Sequence, residues 1–320
     1  PIVEFRAKYV EPIQAGNYQN STAYERRKSL KMLGVLSADL APKVHRADMS
    51  VMKNDLPPKK EFIITVPLTN IQKEAYSIFV KSMMGGNNYS TTKFGDVAPT
   101  TVWHWLAVLS LLCNHPECFR QKLLKRKEEA RNGISPPVDA TDNEESVVDL
   151  NTPLWKAGVS QELVDAESKM FEAKKSLDSI QMSNKVLLLC QILDACKNIG
   201  DKALVFSQSI PTLDFLEDVF RRKNRNYARL DGSTAISKRQ GQTKNFNNGT
   251  TDVYLISTTA GGLGLNLQSA NRVIIFDFKF NPILEEQAIG RAYRIGQKKP
   301  TFIYRFIAGG TFEDSIHNKT

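Results

Sequence analysis

The sequence predicts an α/β fold: a parallel sheet with helices on both faces in its second half, preceded by a mainly helical region. From Lys185 onward, short apolar runs ("ALVF", "YARL", "VYLI", "VIIF", "FIYRFI") alternate with stretches of helical periodicity. Runs that are apolar throughout belong to strands covered on both faces, and helical crossovers between them make those strands parallel. Three regions are expected: residues 1–120, mainly helical; 121–184, a charged insertion of expected mobility; and 185–320, the α/β domain.

Residues 1 to about 57 are charged and helix-forming: "AYERRKSLKMLGVLSADLAPKV" spaces Leu30, Leu33 and Leu36 along one side before Pro42 stops the helix. "LPPKKEFIITVPLT" is a breaker followed by a short strand from Phe62 to Val66. A helix from about Asn70 to Met84 follows, with Ile71, Ala75, Ile78 and Phe79 at helical spacing. "WHWLAVLSLLCNHPECF" is a second apolar helix, ended by Asn114 to Pro116. A basic run (Lys122, Lys125, Arg126, Lys127, Arg131) then gives way to "ISPPVDATDNEESVVDLNTP", acidic and carrying three prolines, which reads as a surface insertion. "KLLKRK" fits a nuclear-localisation patch, but a solvated helix face accounts for it better.

In the second half, "KVLLLCQILDACKNI" is an amphipathic helix, "ALVF" a buried strand, "TLDFLEDVFRRK" a helix and "YARL" a strand. "AISKRQGQTKNF" is a helix, "VYLI" and "VIIF" are strands, "ILEEQAIGRAYRI" is a helix and "FIYRFI" a strand.

The balance of 43 Lys+Arg against 34 Asp+Glu, a net charge of +9, suits an anionic partner such as nucleic acid without requiring one. Cys113, Cys118, Cys190 and Cys196 are too few for a disulfide framework, so a reducing, intracellular compartment is expected. No apolar run approaches the ~20 residues that cross a bilayer. The opening "PIVEFRAKYVEP" has no initiator methionine, and a longer parent chain is expected.

"QAIGRAYRIGQ", residues 287 to 297, places Arg291 four and Arg294 seven residues after Gln287, on one face of the expected helix. Leu284, Ala288, Ala292 and Ile295 form an adjacent apolar stripe that would dock it on the sheet, near the carboxyl edge. Paired guanidiniums suit a polyphosphate, since each offers a planar fork of donors and a charge that is not lost at neutral pH. The competing account is a surface pair bonded to Glu285 and Glu286.

"LISTTAGGLGLNL" sets Thr258, Thr259, Gly261, Gly262 and Gly264 in a turn after a strand, where backbone can approach a phosphate or sugar. "YARLDGSTAISKRQ" is a strand, a tight turn and a helix capped by Ser233 or Thr234, which presents amides to an anion or is an ordinary N-cap. "KALVFSQ" ends a strand on Ser207 and Gln208 at the edge shared with the glycine turn. "CNHPEC" holds Cys113, His115 and Cys118, but a structural zinc site wants four ligands and no second pair lies nearby, so no metal is assigned.

In order and spacing, "KALVFSQ", "RLDGST", "STTAGGLGLNLQSANRVIIFD", "NP" and "QAIGRAYRIGQ" resemble the second, RecA-like helicase lobe of the Swi/Snf-type ATPases, DNA translocases of superfamily two. "LCNHPECF" and "LPPKKEFIITVPLT" resemble that family's inter-lobe segments, and "FIYRFIAGGTFEDSIHNK" its closing stretch. The N-terminal stretch and the closing one look most like the ATRX and Rad-type branch.

The resemblance implies a chromatin remodeller or repair translocase of the nucleus. ATP and Mg2+ would be held mainly by a first lobe, with duplex DNA lying across both lobes and nucleosomes or recombination proteins as further partners. Arg291 and Arg294 would be arginine fingers, Gly262, Gly264 and Gln287 would face the nucleotide, and Gln208, Ser233, Thr258 and Thr259 would face DNA phosphates. Two positions depart from the family pattern: Thr259 stands where it usually has Arg or Lys, and Phe280 where it favours Trp. No G-x-x-x-x-G-K-[ST] phosphate loop occurs in these 320 residues, so the chain alone is expected to be inactive. An ATPase-dead nucleic-acid scaffold and an RNA helicase lobe are the alternatives; "CNHP" and "GRAYRIGQ" favour the remodeller.

Overall fold

A computed structural model describes residues 2–18, 21–44, 55–85, 99–131, 159–173, 176–258, 265–277 and 282–318. The chain divides into two compact units, Pro1–Asp55 and Leu56–Thr320. The first contains α1 (Ile2–Phe5), a π-helical turn (Arg6–Val10), α2 (Glu11–Ala15) and α3 (Ala23–Leu40). Thr22 and Glu25 start α3 with a reciprocal capping box: each side chain satisfies a backbone amide of the other. Leu30 and Leu33, the expected apolar side of this helix, are 69% and 50% exposed.

The second unit is built on six parallel strands in the order β1-β6-β5-β2-β4-β3. These are β1 (Lys59–Pro67), β2 (Ala203–Ser207), β3 (Tyr227–Leu230), β4 (Val253–Ser257), β5 (Arg272–Ile275) and β6 (Thr301–Gly309). Every residue of β2 and β4 is buried, as their unbroken apolar sequences require. One core lies on each face of the sheet: one gathers Val205, Leu255, Ile274 and Phe306, the other Leu204, Phe206, Tyr254 and Ile256. Burial of each such side chain contributes roughly 1.5–3 kcal/mol.

Helices α4 (Asn70–Gly85), α5 (Pro99–Asn114), α6 (Pro116–Arg131), α7 (Gln161–Glu172) and α8 (Asn184–Asn198) precede β2. α9 (Ile210–Arg222), α10 (Ile236–Asn248), α11 (Pro282–Ile289) and α12 (Phe312–His317) connect or close the strands. α9 shows how the sequence writes such a helix: Ser209 caps it, Pro211 sits in its first turn, and Leu213, Leu216, Val219 and Phe220 form the buried face.

Three expectations change. The strand foreseen at Phe62 to Val66 is β1, which pairs with β6 from Lys59↔Thr301 to Pro67↔Gly309 and so belongs to the main sheet. The 121–184 region is not wholly a surface insertion: α7 lies within it and buries Leu163, Val164 and Phe171 in the first core. Residues 132–158, the acidic and proline-bearing part, lie outside the described residues. The helix after β3 starts at Ile236 and is not capped by Ser233 or Thr234. Its N-cap is Ala235, with no side-chain bond, because Asp231 draws Ser233 into the preceding turn.

Candidate functional site

α11 starts beyond the carboxyl end of β5 and must run back along the sheet for β6 to enter parallel to β5. The expected single helix through Ile295 stops at Ile289, so Arg291 and Arg294 stand in consecutive turns beyond it. Two causes are visible. Gly290 lowers helix propensity, and the carbonyl of Arg291 accepts the Leu267 amide at 3.0 Å instead of continuing the helical ladder. Gln297 fixes the turn, donating through Nε2 to the carbonyls of Ala270 at 2.8 Å and Ala292 at 3.1 Å. Ala288 and Ala292 are buried as foreseen, but Ile295 is 64% exposed and docks nothing. Leu267 and Ala270 lead into the start of β5 at Arg272, which puts the arginines at the amino end of the sheet rather than near its carboxyl edge.

The nearby carboxylates are engaged elsewhere. Arg305, on β6, bonds Glu285 at close range, Glu286 at 2.6 Å and Glu61 at 3.3 Å. Burial alone would lower its pKa, yet those carboxylates hold it above the usual guanidinium value. Arg291 shows the opposite sign, its pKa lowered first by burial and then by the charge of Arg294. Among the described residues Arg294 forms no ion pair. Two like charges thus lie near each other in a half-buried turn, and Gln287 stands exposed on α11 one turn earlier.

The carboxyl edge gathers a second set. Gln208 follows β2, and its amide donates to Asp277 Oδ1 at 3.1 Å. Thr258 follows β4, is buried, and donates its amide to the Ser207 carbonyl at 3.0 Å. Ser233, exposed after β3, has both donors engaged by Asp231 Oδ1, through its amide at 2.9 Å and its hydroxyl at 2.5 Å. Arg229 neutralises this turn, with Asp214 at 2.7 Å, Glu217 at 2.6 Å and Asp231 at 2.8 Å. Thr259, Gly262, Gly264 and Phe280 lie outside the described residues. The structure therefore brings Gln208 and Thr258 together and separates them from Arg291 and Arg294.

Sequence reading missed Asp277, Asn114 and Arg305. Asp277 is 2% exposed and accepts from Ser207 Oγ at 2.6 Å, the Gln208 amide, and Asn114 Nδ2 at 3.2 Å. An acid directly after "VIIF" was the one available signal, because its partners are 70 and 163 residues away.

In "CNHPEC", His115 is a packing residue. Its Nδ1 accepts the Glu117 amide at 3.1 Å, its Nε2 donates to the Ser179 carbonyl at 3.0 Å, and its ring stacks on Phe215 at 3.9 Å. Burial pushes its pKa down to about 4, and burial likewise pushes the Cys113 and Cys118 thiols up. Among the described residues no three His, Cys, Asp or Glu are placed to hold a metal ion, and no helix is long and apolar enough to cross a membrane.

A parallel six-stranded sheet, polar groups at its carboxyl edge and an arginine-bearing turn after α11 define a RecA-like helicase lobe. The family model described as helicase conserved C-terminal domain matches residues 184–296. Protein CHROMATIN REMODELING 20 of Arabidopsis thaliana is 35% identical over 99% of this chain and 23% of its own length. Transcriptional regulator ATRX of Homo sapiens is 30% identical over 99% of this chain and 16% of its own length. The crystal structure of the C-terminal part of the Fun30 ATPase domain superposes with a TM-score of 0.57 at 26% identity, over 82% of this chain and 89% of that one. The chain is a C-terminal lobe of the Swi2/Snf2 type. It spans less than a quarter of the length of these two curated relatives.

Proposed function

We propose that this chain is the second half of an ATP-dependent duplex-DNA translocase, working in the nucleus on chromatin or recombination substrates. The observation that carries the reading is the charge arrangement after α11: Arg305 takes Glu285 and Glu286, while the charge of Arg294 bears on Arg291 and Arg294 forms no ion pair among the described residues. Such a pair gains most when an anion with growing charge lies between its members, as a transferred phosphoryl group does.

Two tasks divide along the sheet. At the amino end, Arg291 and Arg294 meet the triphosphate of ATP bound by a first lobe, with Gln287 beside them; Gly262 and Gly264 are assigned to the nucleotide by the family pattern alone. At the carboxyl edge, Gln208 and Thr258 hold phosphates of the tracked strand. Ser233 joins them where a phosphate displaces Asp231 from its hydroxyl. Thr259, without the usual cation, makes that grip weaker in charge. Phosphate contacts fix register without reading sequence, which suits a motor that moves along any duplex.

Mg2+ bound with ATP would neutralise charge on the phosphates. The described residues here offer no carboxylate cluster for it, so its ligands are assigned to the first lobe.

The test is steady-state ATP hydrolysis by the chain alone and by a protein joining it to its first lobe, with and without duplex DNA. Duplex-stimulated turnover only in the joined protein is the expected result. Duplex binding without hydrolysis would make this an inherited scaffold, and stimulation by single-stranded RNA over duplex DNA would make it an RNA motor.

A further inference from the structure

We propose that Asp277 is a positioning residue that couples the duplex-facing edge of the lobe to the arginine turn. This rests on the function just proposed and goes further by naming the link between its two separated ends.

Asp277 lies where four segments meet. One oxygen accepts the Gln208 amide at 3.1 Å; the other accepts Ser207 Oγ at 2.6 Å and Asn114 Nδ2 at 3.2 Å. Ser207 in turn accepts the Thr258 amide on its carbonyl, so both residues assigned to DNA phosphates hang from groups that Asp277 holds. Asn114 is the last residue of α5, and its Nδ2 also reaches Thr212 Oγ1 on α9 at 3.0 Å. In the other direction, Asp277 stands five residues before α11, the helix that carries Gln287 and ends at the arginine turn.

Asp277 does not act as a simple counter-ion. Lys185, the cation near it, is itself buried and bonded to Glu313 at 2.8 Å. What holds Asp277 is therefore three neutral donors, against a burial that favours the protonated acid. A buried carboxyl of this kind adds little net stability, whereas its directional bonds fix the relative position of the segments they join. A DNA phosphate that shifts the turn at Gln208 moves Asp277, and α11 follows.

The experiment uses the protein that joins this chain to its first lobe, and compares wild type, Asp277→Asn and Ser207→Ala across a range of duplex concentrations. Asp277→Asn replaces one acceptor oxygen by a donor, and Ser207→Ala removes the Oγ bond to Asp277, together with the Oγ acceptor of the Ser209 amide at 3.1 Å, while leaving the carboxylate in place. In both, the maximal duplex-stimulated rate should fall about tenfold, while basal hydrolysis and the duplex concentration giving half-stimulation change less than about threefold. Ser207→Ala keeps the test standing if Asp277→Asn fails to fold.

A stimulation ratio unchanged in either folded variant overturns the coupling. So does a parallel loss of basal and stimulated rates with a lower melting temperature, which a purely structural role would give. The wild-type arm separates the two levels: without duplex stimulation there, the function itself is wrong.

Discussion

The amide of Leu267 donates to the carbonyl of Arg291 at 3.0 Å, and this bond sets where both arginines stand. Had α11 continued, Arg294 would lie on its flank; instead it stands half-buried in a bend beyond Ile289, with no ion pair among the described residues. If it meets the transferred phosphoryl group, Arg294→Ala in the joined protein should lower kcat by about a thousandfold or more. Duplex affinity should stay within about twofold, because the loss falls on the transition state. Arg294→Lys should recover little, since an ammonium lacks the planar fork. Equal losses in turnover and DNA binding would falsify the assignment.

Arg305 is the counterpart of that arrangement, holding the carboxylates that would otherwise compete for the arginines. Arg305→Met leaves Glu285, which is buried, with its main cation gone. A loss of about 2–4 kcal/mol is expected, seen as a melting temperature several degrees lower. Adding Glu285→Gln to that background should restore part of it, because an amide tolerates the site without a counter-charge. If the double variant is no more stable than the single one, the ion pair is not what anchors α11.

β2 and β4 were legible because a strand buried on both faces must be written in unbroken apolar residues, and such runs have little else to be. Two things were not. β1 reads as a strand on its own, but nothing local says that it pairs with β6 some 240 residues later. The end of α11 is set by a bond from Leu267, which a helical period cannot register. The same limit hid Asp277: its acid is visible, and its partners on β2 and α5 are not. Gln208 and Thr258 follow β2 and β4 at the sheet edge where the strand pattern put them, whereas the helix before Arg291 and Arg294 was read as longer than it is.

Gln208 and Thr258 are neutral, and that gives DNA binding a signature. Replacing Gln208 by Ala together with Thr258 by Val should weaken duplex affinity by about 3–6 kcal/mol, two hydrogen bonds to charged groups at roughly 1.5–3 kcal/mol each. The slope of log affinity against log salt should not change, since no cation is removed and no extra counterion is retained. A shallower slope would mean that these residues organise a cationic contact elsewhere, and binding titrations at several salt concentrations distinguish the two.

His115 and Glu167 give stability opposite dependences on pH. Burial disfavours the His115 imidazolium and pushes its pKa from the ordinary 6.5 down to about 4. The unfolded chain then takes up the proton first, so stability is full above about 6.5 and is lost as the pH falls towards 4, by about 3 kcal/mol. Glu167 is buried on α7 with no hydrogen bond to either carboxyl oxygen from the described residues, and burial, with Glu74 adding to it, raises its pKa to about 8. Here the folded state keeps the proton longer, so stability is full below about 4.5 and declines as the pH rises towards 8. Melting temperatures measured from pH 4 to 9 should therefore fall at both ends. Glu167→Met should raise the melting temperature at pH 8 and leave it little changed at pH 4.5, since only the ionised form is penalised. His115→Gln should flatten the acid side alone. A Glu167→Met variant with an unaltered alkaline slope would show that Glu167 finds solvent or a cation when it ionises.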